Sequence, residues 1–171
     1  MPEKRTIERA RRDKQEGKAA STQAGEFIRE EMEHIREGKH GARSPKQAIA
    51  IGLSKARRSG VDLPPPKKGS VSEKTRKSEA RAYARGHGAP ARAPSTAKRS
   101  RAATGALQRE GRSAASPRAL ATQARSAAAK RTESERSASA RKAARTKGPS
   151  ARSAAAKRAA RTRTERSGAH A

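Results

Sequence analysis

Cationic side chains are the one chemical resource this sequence holds in quantity. Its 171 residues carry 43 Lys and Arg against 16 Asp and Glu, a formal charge of +27. Such groups neutralise phosphate oxygens, Arg through paired parallel hydrogen bonds and Lys as a point charge. They are placed most insistently toward the C-terminal end. There Arg125, Lys130, Arg131, Arg141, Lys142, Arg145, Arg152, Lys157, Arg158, Arg161 and Arg163 recur among Ala, Ser and Thr. At helical spacing the last five, with Arg166, point all around an axis instead of forming one stripe. A helix charged in this way repels itself until a polyanion neutralises it, so folding and binding are expected to be coupled. Cations on every side also allow contact with two duplexes at once. Lys39 and Arg43 form a second, smaller candidate in a loop before a helix start at Ser44, where exposed amides and nearby cations suit a phosphate.

Other chemistries find little support. Cysteine is absent, which removes thiolate catalysis, disulfides and Cys-based zinc sites. The four histidines, His34, His40, His87 and His170, are too scattered in sequence to suggest a metal set, and His34 reads as a surface residue. No Ser/His/Asp constellation, phosphate-loop glycine pattern or carboxylate dyad stands out, so no catalytic residue, metal or cofactor is expected and the chain reads as non-enzymatic. Phe27 and Tyr83 are the only aromatics. Single-strand binders and RNA modules interleave aromatics with cations to stack on bases. Their scarcity points to backbone neutralisation with little sequence reading. Ser116-Pro117-Arg118 is a short kinase-acceptor pattern of a kind common in Ser-rich chains.

The elements that must position these groups fall into two compositional regions. Residues 1–62 hold 15 basic and 10 acidic residues, and residues 63–171 hold 28 and 6. A Pro-rich spacer, residues 63–71, separates a small helical head from a basic low-complexity tail, residues 72–171. In the head the spacing predicts an all-α hairpin without sheet, with helices over about 22–37 and 45–58 and a weaker one over about 2–16. Ala24, Phe27, Ile28, Met32 and Ile35 share one face of the first hairpin helix, opposite an acidic ridge of Glu26, Glu30, Glu33 and Glu37. That ridge is expected to hold the tail when nucleic acid is absent. Ser44, Pro45 and Gln47 open the second helix as a capping box, and Ala48, Ile49, Gly52, Leu53 and Ala56 form its inner stripe. A glycine inside a helix costs about 1 kcal/mol relative to alanine, so Gly52 implies a close approach, most simply by the first hairpin helix. Fewer than about 40 residues make a marginal core, so a homodimer through the head is one expectation.

In the tail, Ser72 to Arg85 is helix-compatible, and residues 91–171 are Ala-rich with Leu107 and Leu120 the only large apolar side chains. The octapeptide Ala-Arg-Ser-Ala-Ala-Ala-Lys-Arg occurs at 124–131 and again at 151–158. So little apolar surface cannot offset ordering entropy, and the tail is expected to be largely disordered alone, though helix-prone. No stretch of about 18 apolar residues is present to span a membrane.

The run from Arg36 to Gly60, REGKHGARSPKQAIAIGLSKARRSG, resembles a family of small basic bacterial proteins with an uncharacterised domain over roughly residues 1–70. The tail is similar in composition to linker-histone tails and bacterial linker-histone-like proteins, although residues 91–171 carry 16 Arg and 5 Lys where linker-histone tails favour Lys. These resemblances imply a cytoplasmic, nucleoid-associated DNA-binding protein that compacts duplex DNA. The Arg bias keeps RNA or ribosome association open, and the groove at Gly52 leaves room for a reading as a protein-interaction module.

Overall fold

The computed structural model describes residues 1–90 and 97–168. Described residues form helices α1 (Lys4–Gln15), α2 (Ala20–Arg36), α3 (Pro45–Arg58), α4 (Glu73–Gly86), α5 (Ala97–Gln108), α6 (Pro117–Ala129) and α7 (Glu133–Gly168), with a 3₁₀ turn at Ser113–Ala115. No strand occurs among them. The chain divides into two compact units, Met1–Gln123 and Ala124–Ala171.

The first unit is built on the α2/α3 hairpin, as the apolar periodicity predicts. Phe27 and Ile35 are fully buried, and Ala24, Ala48 and Ala56 lie beneath them in the same interior. Ser44 Oγ accepts the Gln47 amide at 3.3 Å, the first half of a capping box. Gln47 Oε1 completes it one residue early, accepting from the Arg43 amide at 2.8 Å instead of from Ser44. Gly52 sits where the two helices touch. A Cβ there would lie 2.8 Å from the Ile28 Cα, closer than a methyl group can pack. The groove inferred around Gly52 is therefore filled by α2.

Pieces from far along the chain complete this core. Ala10 and Ile7 of α1 join Phe27, Ala56, Val61, Leu53 and Leu63 in one cluster. In a second cluster Met32, Ile35, Ala42 and Ala48 pack against Ala114 and Ala115 of the 3₁₀ turn, with Leu120 of α6 alongside. The Arg36 guanidinium donates to the Ala115 carbonyl at 3.1 Å, fastening that turn to the end of α2. Beyond the Pro-rich segment α4 returns onto α3. Its anchor is Arg57, which donates to the Leu63 carbonyl at 3.0 Å, the Pro64 carbonyl at 3.2 Å and Glu79 Oε2 at 2.6 Å. The segment expected to be a spacer is thus held inside the first unit, and residues expected to be tail cover its core.

The second unit consists of the end of α6 and all of α7. A complete capping box starts α7: Thr132 Oγ1 accepts the Glu135 amide at 3.3 Å, and Glu135 Oε2 accepts the Thr132 amide at 2.9 Å. The carboxyl of Glu135 is held below its ordinary pKa chiefly by that backbone hydrogen bond. Helical geometry breaks at Gly148 (φ 70°, ψ 166°). Pro149 restarts it, with its fixed φ suited to a first helical turn. Most of the described tail residues are helical, in keeping with the helix propensity of the sequence. Alanine needs no side-chain ordering in a helix, and Ser and Thr hydroxyls fold back onto carbonyls one turn earlier, as Thr146 does on Lys142 at 3.0 Å.

Candidate nucleic-acid interface

α6, α7 and the turn between them carry the tail cations that the sequence nominates. Arg125, Lys130, Arg131, Arg141, Lys142, Arg145, Arg152, Lys157, Arg158, Arg161 and Arg163 are all exposed. Among the described residues only Arg161 meets a carboxylate, Glu165, at 2.8 Å. The hydroxyls bound back to the backbone leave guanidinium and ammonium groups as the outward-reaching polar chemistry of α7.

The duplicated octapeptide proves to be part of a longer pattern. Residues 136–147 read RSASARKAARTK and residues 152–163 read RSAAAKRAARTR, with Lys and Arg exchanging places at three positions. Residues 125–136 repeat the beginning of this pattern and end on Arg136. Charge class rather than residue identity carries the repeat, which is why identity matching alone stops at the octapeptide. Context decides its structure: residues 124–131 run out of α6 before Thr132, while residues 151–158 lie within α7. Thr132 begins a new cap in the first copy, whereas Ala159 and Ala160 continue the helix in the second.

The smaller candidate around Lys39 and Arg43 is altered by its neighbours. Amides of the loop itself are taken internally, with Gly41 N–H donating to the Leu107 carbonyl at 2.9 Å and Ala42 N–H to the Gly111 carbonyl at 3.1 Å. A Cβ on Gly41 would overlap the Glu110 carbonyl oxygen. Lys39 lies between Glu37 at 2.9 Å and Glu3 at 3.5 Å, which together raise its pKa, the Glu37 hydrogen bond first. Arg43 remains 81% exposed, 3.4 Å from Glu110. Loop 38–43 is a docking point for residues 107–112 of the same chain, and Lys39 and Arg43, though each meets a carboxylate, stay exposed.

The expected acidic ridge is also redrawn. Glu30 is buried, with Oε2 accepting the Glu3 amide at 3.0 Å and Lys55 Nζ 3.3 Å from Oε1. Burial pushes its pKa up, but the Thr6 hydroxyl, the Glu3 amide and Lys55 together hold it below the ordinary value. Glu26 pairs with Arg9 and Arg29, each at 2.6 Å, and Glu37 with Lys39. Only Glu33 of the four is exposed without an ion pair among the described residues. These carboxylates cannot together form a latch for the tail. Tyr83 is likewise engaged, donating its hydroxyl to Asp62 at 2.6 Å and stacking on His87 at 4.0 Å between ring centroids. Ser116 caps α6 by accepting the Ala119 amide at 3.2 Å, with Pro117 in the first turn, so the Ser-Pro pair has a structural use.

One cluster departs from the sequence reading altogether. His34 is largely buried and stands 3.0 Å from Glu3, instead of lying on the surface. Across the end of α2, His40 Nε2 lies 3.3 Å from Glu31 Oε1. Ligand atoms of Glu31, His34 and His40 all fall within 4.8 Å of one another. His87 is elsewhere, on Tyr83, and His170 lies outside the described residues. Two of the histidines that look scattered in sequence are therefore neighbours.

Fold and charge together define an all-α protein whose helical core is followed by strongly basic helices. Residues 3–68 match a family of unknown function, DUF6496. That span covers α1 to α3 and ends before α4 and the basic helices. No curated protein and no solved structure matches the chain. No described helix is long and apolar enough to cross a membrane.

Proposed function

We propose that this protein is a non-enzymatic binder of nucleic-acid backbones. It neutralises and bridges duplex DNA through α6 and α7 with little sequence preference, in the manner of a nucleoid-associated, linker-histone-like protein. The observation that carries this reading is the state of the cations in Ala124–Ala171: 14 Lys and Arg against three carboxylates, with one ion pair among the described residues. Carboxylates in this unit are too few to neutralise its cations, and a polyanion is the partner that would do so. Placement around the axis supports contact with more than one duplex. The lack of free aromatics supports backbone contact over base stacking.

The test is the salt dependence of duplex affinity. Changing Arg152, Lys157, Arg158, Arg161 and Arg163 to Gln should flatten the slope of log affinity against log salt by about 4 to 5. An equal charge change at Arg5, Arg11, Arg12, Lys46 and Arg58 in the first unit should flatten it by less than half as much. Equal slopes for the two variants would overturn the assignment to α7. Competition between structured RNA and duplex DNA at equal phosphate concentration decides the natural polymer, and a clear preference for RNA would replace DNA in the proposal.

A further inference from the structure

We propose that Glu31, His34 and His40 form a binding site for a first-row divalent cation of the zinc type, at the junction of α2 with loop 38–43. The donor set is two imidazoles and a carboxylate, which suits zinc and its neighbours and not the all-oxygen preference of calcium or magnesium. Glu31 and His34 are one helical turn apart on α2, and the loop returns His40 to them. Their ligand atoms already lie within 4.8 Å of one another. Donors around a tetrahedral zinc are separated by about 3.3 Å. The His40–Glu31 pair stands at 3.3 Å, so side-chain closure at His34 completes the set.

Three further observations favour a metal cation at this cluster. First, the outer partners fix the imidazole tautomers. His40 Nδ1 lies 3.1 Å from the Gly41 carbonyl, which can only accept, so Nδ1 carries the hydrogen. Nε2, which faces Glu31 Oε1, is then the ring nitrogen left to hold a metal. Similarly, His34 Nε2 lies 3.0 Å from Glu3, which leaves the other ring nitrogen to serve as the donor. A carboxylate or carbonyl behind each imidazole is the usual support of a metal-bound histidine.

Second, Glu31 is 1% exposed, and while Lys55 Nζ, shared with Glu30, sits 2.6 Å from its Oε2, the other oxygen, Oε1, faces His40. Third, the loop bearing His40 is pinned by the two hydrogen bonds to residues 107 and 111, so the donor arrives preorganised.

Full-length protein freed of metal with a chelator should bind Zn²⁺ with one-to-one stoichiometry, raising its melting temperature, whereas Mg²⁺ at the same concentration should not. Co²⁺ as a spectroscopic probe should give saturable d–d absorption in the visible. His40→Ala should abolish both responses, and Glu3→Gln, which keeps all three ligands, should weaken Zn²⁺ affinity about 10-fold or more. His87→Ala should bind as the parent protein does. If His40→Ala fails to fold, the parent protein's Co²⁺ spectrum and the Glu3→Gln affinity still decide the matter. Absence of a Zn²⁺-dependent melting shift and of a Co²⁺ band in the parent would overturn the site. So would equal uptake by parent and His40→Ala, or unchanged affinity in Glu3→Gln.

Discussion

Arg57 and Arg158 are the same residue type put to opposite uses, and they stand for the two units that hold them. In Met1–Gln123, carboxylates reach into the interior and take cations with them: Glu30 and Glu31 hold Lys55, Glu79 holds Arg57, and Glu26 holds Arg9. In Ala124–Ala171 there are three carboxylates, and Arg158 projects without one. Charge density alone does not separate the units, since the first is also basic, with 29 Lys and Arg against 13 Asp and Glu. What separates them is apolar surface. Phe27, Ile35 and Met32 create an interior in which an ion must be paired. α7 has no such interior, so its cations remain available to an external partner.

The largest effect that would break this contrast is at Arg57. Its guanidinium is 6% exposed, serves two carbonyls of the Pro-rich segment and neutralises a nearly buried Glu79. Arg57→Ala should destabilise the first unit by about 3–5 kcal/mol, because it strands a buried carboxylate. Arg158→Ala should change stability by no more than about 0.5 kcal/mol. Denaturant unfolding of both variants is the measurement. Similar losses would mean that α7 cations are structural after all.

Gly52→Ala tests the same contrast through packing. The added methyl must displace the α2 backbone at Ile28, so a loss of about 1–3 kcal/mol is expected. Duplex affinity and its salt slope should stay within error of the parent protein at temperatures where the variant is folded. A parallel drop in affinity would show that α2 and α3 take part in binding.

The hairpin was legible because its signals are local. Apolar spacing in α2 and α3, the Ser44 cap and the anomalous Gly52 each lie within a few residues of what they determine. The buried ions were not legible for the opposite reason. Glu30 and Glu31 read as surface because their partners, Lys55 and Thr6, lie some 25 residues away along the chain. Ala114 and Ala115 escaped notice because methyl groups in an Ala-rich stretch carry no periodicity, yet their small size is what lets the 3₁₀ turn lie flat on Met32 and Ala48. The Glu31, His34 and His40 cluster depends on how the hairpin loop lies, which is fixed by its docking on Leu107 and Gly111, more than 60 residues further on. The cations of α6 and α7 could be nominated from sequence because exposure is the default state of a charge.

The smallest effect expected is in acid, and it follows from Glu3. Its carboxyl is lowered from the ordinary 4.5 to about 2, first by the hydrogen bond from His34, then by that from Arg5, with Lys39 adding attraction. A carboxyl whose folded pKa is depressed binds its proton more readily when unfolded. Its contribution is therefore fully present above about pH 4.5 and disappears as the pH falls toward 2. Because Glu3 ties the start of α1 to α2 through His34, and through its own amide to Glu30, loosening should begin there. Amide exchange in α1 should accelerate between pH 4.5 and 2 before that of α3. Glu3→Gln should show the faster exchange already at pH 5 and little further change on acidification. The second unit supplies the contrast, since its own depressed carboxyl, Glu135, caps α7 through Thr132 and touches no interior. Acid should fray the first turn of α7 and leave the residues after Pro149 unaffected. Simultaneous exchange of α1 and all of α7 over this range would mean that one global transition, not separate carboxyl contacts, governs the acid response.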